Sequence, residues 1–412
     1  LKRFSRTRLL ILLAVIGPGI ITSAADNDAG GITTYAVAGA LFKYDLLWVL
    51  VLITFALAMI QEMCARMGAV TQKGLGELIR ENYGVKWTMF ALGVLFVANL
   101  ATTVAEFAGI AASCQLLGIP KYISVPVAAI GIWLLVVKGT FKTVERVFIL
   151  LTLFYSTYIV SGVLARPDWG EVFNATVSPN FHADSYFFFI IIAVVGTTIT
   201  PWMQFFLQAT VVEKGVHIDN YRYQKLDVFV GAFLTDLVAF FIVVAAGATV
   251  YGTLGGERVK DAAEVAQALR PIAGHYAEIL FAIGLFSASL LAAAVLPLST
   301  AYTYSEAFGW EIGISRKLRE APVFYGIYTF SILFGVVVVL MPMNMIDTMI
   351  RAQAINGILL PVILVFMLSL INRSDVMGTY VNGRFYNVVV WGLVAILTLM
   401  TLATLVGTLM GY

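Results

Sequence analysis

Apolar residues in this chain come in long runs, with none of the period-two alternation of a half-buried sheet. A bilayer hydrocarbon core about 30 Å thick takes roughly 20 apolar residues of helix. Windows of that size fall near residues 9–41, 46–69, 88–115, 122–138, 147–165, 185–212, 227–252, 275–304, 322–341, 347–371 and 386–410. The pattern predicts an all-α integral membrane protein of eleven transmembrane helices, a single domain over residues 1–412. Two of the eleven are long and interrupted. The first carries Asp26-Asn27-Asp28-Ala29-Gly30-Gly31 between the apolar stretches RLLILLAVIGPGIITSAA and ITTYAVAGALF. The sixth carries Gly196-Thr197-Thr198-Ile199-Thr200-Pro201, where proline removes a backbone donor and the β-branched run weakens the helix before it. Breaks five spans apart are what two inverted five-helix repeats produce, here about 9–165 and 185–371, with 386–410 as an added helix. In such an arrangement the ligand lies between the broken helices at the midplane.

Composition agrees with this reading. Sixty per cent of the 412 residues are hydrophobic and 12% are charged, and the mean hydropathy of +0.91 lies outside the range of soluble domains. A net charge of +2 is too small to suggest nucleic acid, so the lipid bilayer is the expected partner, with no obligatory protein partner and no cofactor evident. With a cytoplasmic N-terminus, the inner connections hold nineteen Lys and Arg residues and the outer ones six. That asymmetry predicts a multi-pass plasma-membrane protein whose N-terminus is cytoplasmic and whose C-terminus is extracytoplasmic. The first apolar stretch runs straight into the polar break, so it is not expected to be a removable leader. Cys64 and Cys114 fall within spans as core residues. The 253–274 connection is expected to form a short amphipathic helix. Phosphate-binding and H-E-x-x-H motifs are missing, and no enzyme activity is expected.

Candidate chemistry gathers at the breaks. Carboxylates in a lipid-crossing segment are costly and are usually retained for an ion or substrate path. Asp28 is the expected charged anchor. Asp26 and Asn27 either contact the ion or cap an outer half-helix starting near Ile32. Thr197 offers a backbone carbonyl if the sixth helix unwinds, and Thr200 either a ligand hydroxyl or a bond back to its own helix. Gln204 and Gln208, one turn apart, line a water-filled vestibule or bond to neighbours. Asp236 and Arg351 are further intramembrane charges, expected to be structural. Glu62, Glu145 and Arg146 are expected near helix ends, where they serve solvation and orientation.

Several motifs resemble one family. Gly17-Pro18-Gly19 followed by the break and Ala38-Gly39-Ala40, IQEMCARMGAVTQKGLGELIRENYG (60–84), ATTVAEFAG (101–109), TPWMQFFLQATVVEKG (200–215), AQAINGILLP (352–361) and NRSDVMG (372–378) resemble the NRAMP family of divalent-metal transporters. The resemblance implies a LeuT-type inverted repeat with broken helices 1 and 6. It also places the family's D-P-G-N motif on Asp28-Ala29-Gly30-Gly31, so the aspartate is kept and the metal-binding asparagine becomes Gly31. The family's M-P-H-N falls on Thr200-Pro201-Trp202-Met203, replacing the soft thioether by a hydroxyl and the histidine by Trp202. A second histidine becomes Leu207. The acidic pair of the family's proton path is half present, as Thr103 and Glu106, and the tenth-helix glutamine is Gln353.

These departures resemble the branch of NRAMP-related magnesium transporters. Loss of the only soft ligand favours hard cations held by carboxylate, carbonyl, hydroxyl and water. Mg²⁺ dehydrates reluctantly and suits one firm carboxylate in a roomy oxygen site. The expected metal site is therefore Asp28, Gly31, Thr197, Thr200 and Gln353, with Asp26, Asn27, Glu106, Gln204 and Gln208 along the ion path. Mg²⁺, with Mn²⁺ as a further cargo, is expected to move by alternating access without protons, because relay residues are missing. The alternatives are proton-coupled Mn²⁺ or Fe²⁺ transport, for which Glu106 is the remaining acid, and an amino-acid permease of the same fold.

Overall fold

The computed structural model describes residues 26–138, 156–182, 184–252, 277–311 and 316–410. Among them every regular element is helical and there is no strand. In chain order the helices are α1 (Ala29–Phe42), α2 (Leu47–Thr71), α3 (Leu75–Leu116), α4 (Lys121–Lys138), α5 (Ser156–Leu164), α6 (Trp169–Val177), α7 (Ser185–Thr198) and α8 (Pro201–Glu213). They continue with α9 (Tyr221–Thr249), α10 (Ala277–Phe308), α11 (Pro322–Leu340), α12 (Met345–Ile371), α13 (Ser374–Met377) and α14 (Arg384–Met410). Among the described residues nine segments are long and apolar enough to cross a membrane, with α7 and α8 forming one of them. The short apolar α1 adds the C-terminal part of the first expected span. The N-terminal part of that span, the start of the fifth, the 253–274 connection, Gly17-Pro18-Gly19, Glu145 and Arg146 lie outside the described residues.

The interior is built around the second break. In the α7–α8 segment 83% of the most apolar window is buried, against 22% in α14, so the broken helix is central and the last helix peripheral. Helix α3 packs along α10 and α12, α7 lies on α12, and α9 lies on α1 and α2. Glycines allow the closest crossings. A Cβ at Gly196 would stand 2.1 Å from Gln353 O and 2.3 Å from Gly357 N, and one at Gly39 would stand 2.4 Å from Val243 O. Backbone-to-backbone contact of this kind is how helices associate where lipid removes the hydrophobic drive between them.

Some boundaries differ from those the hydropathy predicts. Helix α3 begins at Leu75, before the apolar run at 88, and turns at Gly84, whose φ of 73° only glycine adopts cheaply. Helix α9 begins at Tyr221 rather than near 227. Glu62 is not a solvating helix-end residue: it is buried, it pairs with Arg66 one turn on at 3.4 Å, and it accepts the Tyr221 hydroxyl. Arg351 has a plain partner, Asp347 at 2.8 Å one turn earlier, and is mostly exposed.

Candidate metal site at two helix breaks

The first break sits two residues earlier than the glycines suggest. Asp26 is still helical, Asn27 is a bend, and Asp28 is extended at φ −73° and ψ 179°. Asp28 caps α1, its Oδ1 taking the Gly31 N–H at 2.5 Å. A carboxylate satisfies an orphan donor of the first turn and suits the positive helix end, so the helix starts at Ala29 rather than near Ile32. Capping therefore falls to Asp28, not to Asp26 or Asn27. Gly30 and Gly31 are already helical, and their missing side chains serve a different end. A Cβ at Gly30 would meet Gln353 Nε2 at 2.0 Å. The bare position lets Gln353 reach Asp28, donating to Oδ1 at 3.2 Å and Oδ2 at 3.1 Å.

At Gly31 a Cβ would lie 2.9 Å from Thr197 Oγ1, 3.1 Å from Asp28 Oδ1 and 3.2 Å from Asp26 O. Three oxygens from both breaks thus converge on the space that Gly31 leaves open. Mg²⁺ binds oxygen at about 2.0–2.1 Å and Ca²⁺ at about 2.3–2.6 Å, so an ion here draws these groups inward or keeps water among them.

The second break is a true interruption. Helix α7 ends at Thr198 and α8 starts at Pro201, with Ile199 (φ −124°, ψ 73°) and Thr200 (φ −74°, ψ 143°) between them. The helical partner of the Thr197 carbonyl would be the N–H of residue 201, which proline lacks, so that carbonyl is released from the ladder. The Thr198 hydroxyl binds Val194 O at 2.8 Å and meets Tyr35 Oη at 2.8 Å, tying α7 to α1. The Thr200 hydroxyl points across the gap to Asp26 Oδ1 at 3.4 Å instead of folding back on its own helix.

The other expected residues divide. Glu106 of α3 joins the site: its Oε2 accepts the Ala29 N–H at 3.1 Å, and its carboxyl faces that of Asp28. Thr103, one turn before it, is turned away and donates to Asn99 O at 2.7 Å. Asn27 is anchored sideways, its Nδ2 on Thr235 O at 3.1 Å. Gln204, with its amide nitrogen toward the break, lies 2.6 Å from Thr200 O and 2.7 Å from Pro201 O, and so steadies the start of α8. Gln208 donates to Lys73 O at 2.8 Å and joins α8 to the α2–α3 connection. Trp202 packs in the core beside Phe206, with ring centroids 5.8 Å apart.

Two residues of this network escape a reading of the breaks alone. Asn356 donates to Gln353 Oε1 at 2.8 Å and to Thr102 Oγ1 at 2.8 Å. Its position three residues after Gln353 on the same helix face is the available signal. The chain Thr102–Asn356–Gln353–Asp28 fixes the carboxylate from α3 and α12 together, with every link buried. Among the described residues no thioether enters this group: Met203 S accepts from Gln61 at 3.5 Å and Met349 S from Thr33 at 3.6 Å, both in the surrounding packing.

The whole arrangement has relatives. The chain is 28% identical to the divalent metal cation transporter MntH of Deinococcus radiodurans over 399 residues, covering 94% of this chain and 88% of that protein. It is 25% identical to MntH of Klebsiella pneumoniae strain 342, covering 99% and 97%. Its fold matches the manganese transporter of Eremococcus coleocola, crystallised with an aromatic bis-isothiourea compound, at a TM-score of 0.79 with 19% identity, covering 99% of this chain and 90% of that one. MhsT in complex with L-phenylalanine shares the LeuT-type fold at a TM-score of 0.64 with 15% identity, covering 97% and 98%. Residues 19–407 match the family described as natural resistance-associated macrophage protein-like, and the chain belongs to this Nramp family.

Proposed function

We propose that this chain is a multi-pass transporter that carries a divalent metal ion through the membrane by alternating access, holding it at the paired helix breaks through oxygen donors. The observation that carries the reading is the convergence of Asp28 Oδ1, Thr197 Oγ1 and Asp26 O on the space beside Gly31. Thr200 and Gln353 adjoin that space through Asp26 and Asp28. Asp28 and Glu106 face each other without a basic partner among the described residues, and a cation between such groups relieves their repulsion. The same two acids disfavour an amino-acid substrate, whose carboxylate they would repel. The relatives are metal-ion transporters, not enzymes, which agrees with the absence of hydrolytic motifs.

Two cargo readings have specific support. The donor set is all oxygen, which suits Mg²⁺ and Mn²⁺ and offers nothing to a soft metal. The name of the Eremococcus coleocola structural neighbour favours Mn²⁺, and Glu106 beside Asp28 supplies an acid through which a proton can be coupled. Proton-coupled Mn²⁺ transport is therefore the better-backed reading, with uncoupled Mg²⁺ uniport resting on the missing thioether and relay histidines. In the second case the membrane potential suffices, at about 4.6 kcal/mol for a divalent ion through 100 mV, twice roughly 2.3 kcal/mol per charge. The orientation expected from the basic residues puts the inward direction toward the N-terminal side.

Uptake into proteoliposomes driven by potential alone, with an internal pH dye, tests both. Mn²⁺ entry with acidification that Glu106→Gln abolishes supports coupled transport. Mg²⁺ entry at constant internal pH supports uniport. Entry of neither ion into vesicles holding folded protein overturns the proposal.

A further inference from the structure

A second set of buried carboxylate oxygens, those of Asp26 and Asp236, stands beside the first break. Asp236, within α9, is buried, and neither of its carboxylate oxygens has a hydrogen-bond donor among the described residues. Thr54 of α2 faces it, but the Thr54 hydroxyl gives its proton to Leu50 O at 2.7 Å. Opposite Asp236 lies Asp26. The two segments are joined by the Asn27-to-Thr235 hydrogen bond of 3.1 Å, which brings the Asp26 and Asp236 carboxylates within electrostatic reach of each other. Among the described residues Asp26 Oδ2 also lacks a donor, and its Oδ1 has only the Thr200 hydroxyl at 3.4 Å. Asn27 Oδ1, buried in the same seam, is likewise without a partner among the described residues.

Unpaired buried carboxylates are expensive, each costing several kcal/mol when ionised. Two of them facing one another, with an amide oxygen and a hydroxyl at hand, form a hard donor set whose charge matches one divalent ion. We infer that Asp26 and Asp236, with Thr200 and Asn27, form a second divalent-cation site on the α9 side of the first break. The inference rests on the divalent-metal reading and extends it. Asp26 belongs to both sites, giving its backbone carbonyl to the space beside Gly31 and its carboxylate to Asp236. An ion therefore passes between the two positions without leaving oxygen ligands.

Counting bound Mn²⁺ tests this, using the full chain in detergent, equilibrium dialysis and electron paramagnetic resonance of the free ion. Wild type is expected to bind two Mn²⁺ per chain. Asp236→Asn and Asp28→Asn should each bind one, and the double variant none, with melting curves reporting that each is folded. If Asp236→Asn does not fold, Asp26→Asn removes the same site while keeping the shared carbonyl, and should also bind one. A wild-type count of one that Asp28→Asn abolishes and Asp236→Asn leaves unchanged overturns the second site and leaves the Asp28 reading standing. A count of one lost in Asp236→Asn but kept in Asp28→Asn supports the α9 site and overturns the other. No binding to folded wild type at millimolar Mn²⁺ overturns both.

Discussion

Asp28 opens α1 with its own carboxylate, whereas Pro201 opens α8 by withholding an N–H. The first break is charged and crowded with carboxylates, its cap doubling as the proposed anchor for a cation. The second is neutral, contributing the Thr197 hydroxyl, the carbonyl that proline releases, and the Thr200 hydroxyl. In the proposed site one side would supply the charge that offsets an ion's desolvation, and the other the dipoles that fill its coordination without adding repulsion. The difference also predicts unequal sensitivity to mutation. Changes at the first break should remove transport, and changes at the second should tune it.

The largest effect is expected for Asp28→Ala, which removes the anchor. Uptake should fall at least 100-fold in proteoliposomes while the melting temperature stays close to wild type, because loss of the Gly31 cap costs only about 1 kcal/mol. Retained uptake would put the anchor elsewhere, with Asp26 the first place to look. Next comes Gly31→Val, whose side chain would occupy the space bounded by Thr197 Oγ1 and Asp28 Oδ1 at 2.9 and 3.1 Å. A loss of 10-fold or more is expected, with Gly31→Ala intermediate. Gly196→Ala is the matching control. Its Cβ would press on backbone at 2.1 Å rather than on the oxygens, so it should lower stability by about 1–3 kcal/mol through overpacking. Unchanged uptake by Gly31→Val would show that the ion does not use this space.

Pro201→Ala asks whether the second break depends on the missing donor. Alanine restores an N–H to the Thr197 carbonyl and a good helix former at the start of α8. The variant should be more stable, with a higher melting temperature, and transport several-fold more slowly because a carbonyl returns to the helix ladder. Equal stability and equal uptake would mean that Gly196 and the β-branched run interrupt the helix unaided.

Much of this was legible in the chain. Long apolar windows locate the spans because a bilayer imposes a length on every helix, and Pro201 marks its break together with Gly196 and the β-branched run, since α4, α10 and α12 each carry a proline without breaking. The first break lies within Asp26–Gly31 as the polar stretch predicts, but α1 starts at Ala29 rather than near Ile32, because the capping carboxylate of Asp28 outweighs the low helical propensity of Gly30 and Gly31. Long-range partners were the illegible part. Gln353 reaches Asp28 because Gly30 has no side chain, and the packing of α9 on α1 is what brings Asp236 to the side of the first break. Glu62 resembled a surface charge until Tyr221 and Arg66 closed over it. Such pairings belong to helix packing, which hydropathy does not encode.

The smallest effect is expected at Thr200, and it bears most directly on selectivity. Its hydroxyl stands 3.4 Å from Asp26 Oδ1, a long contact between a neutral donor and a carboxylate, so its loss alone should change uptake by no more than a few-fold. Thr200→Met replaces it with a flexible thioether at the position where the resemblance puts the family's soft ligand. The change should raise the preference for Cd²⁺ or Mn²⁺ over Mg²⁺ several-fold, because sulfur selects softer ions and Mg²⁺ gains nothing from it. Competition between these ions in one uptake assay measures the ratio directly, and Thr200→Val separates hydroxyl loss from thioether gain. If both variants keep the wild-type ratio, the Thr200 side chain takes no part in choosing the ion, and selectivity lies with Asp28, Thr197 and the Asp26 carbonyl. If Val shifts the ratio as far as Met, the hydroxyl itself favours the hard ion, and the neutral break tunes selectivity through its oxygens alone.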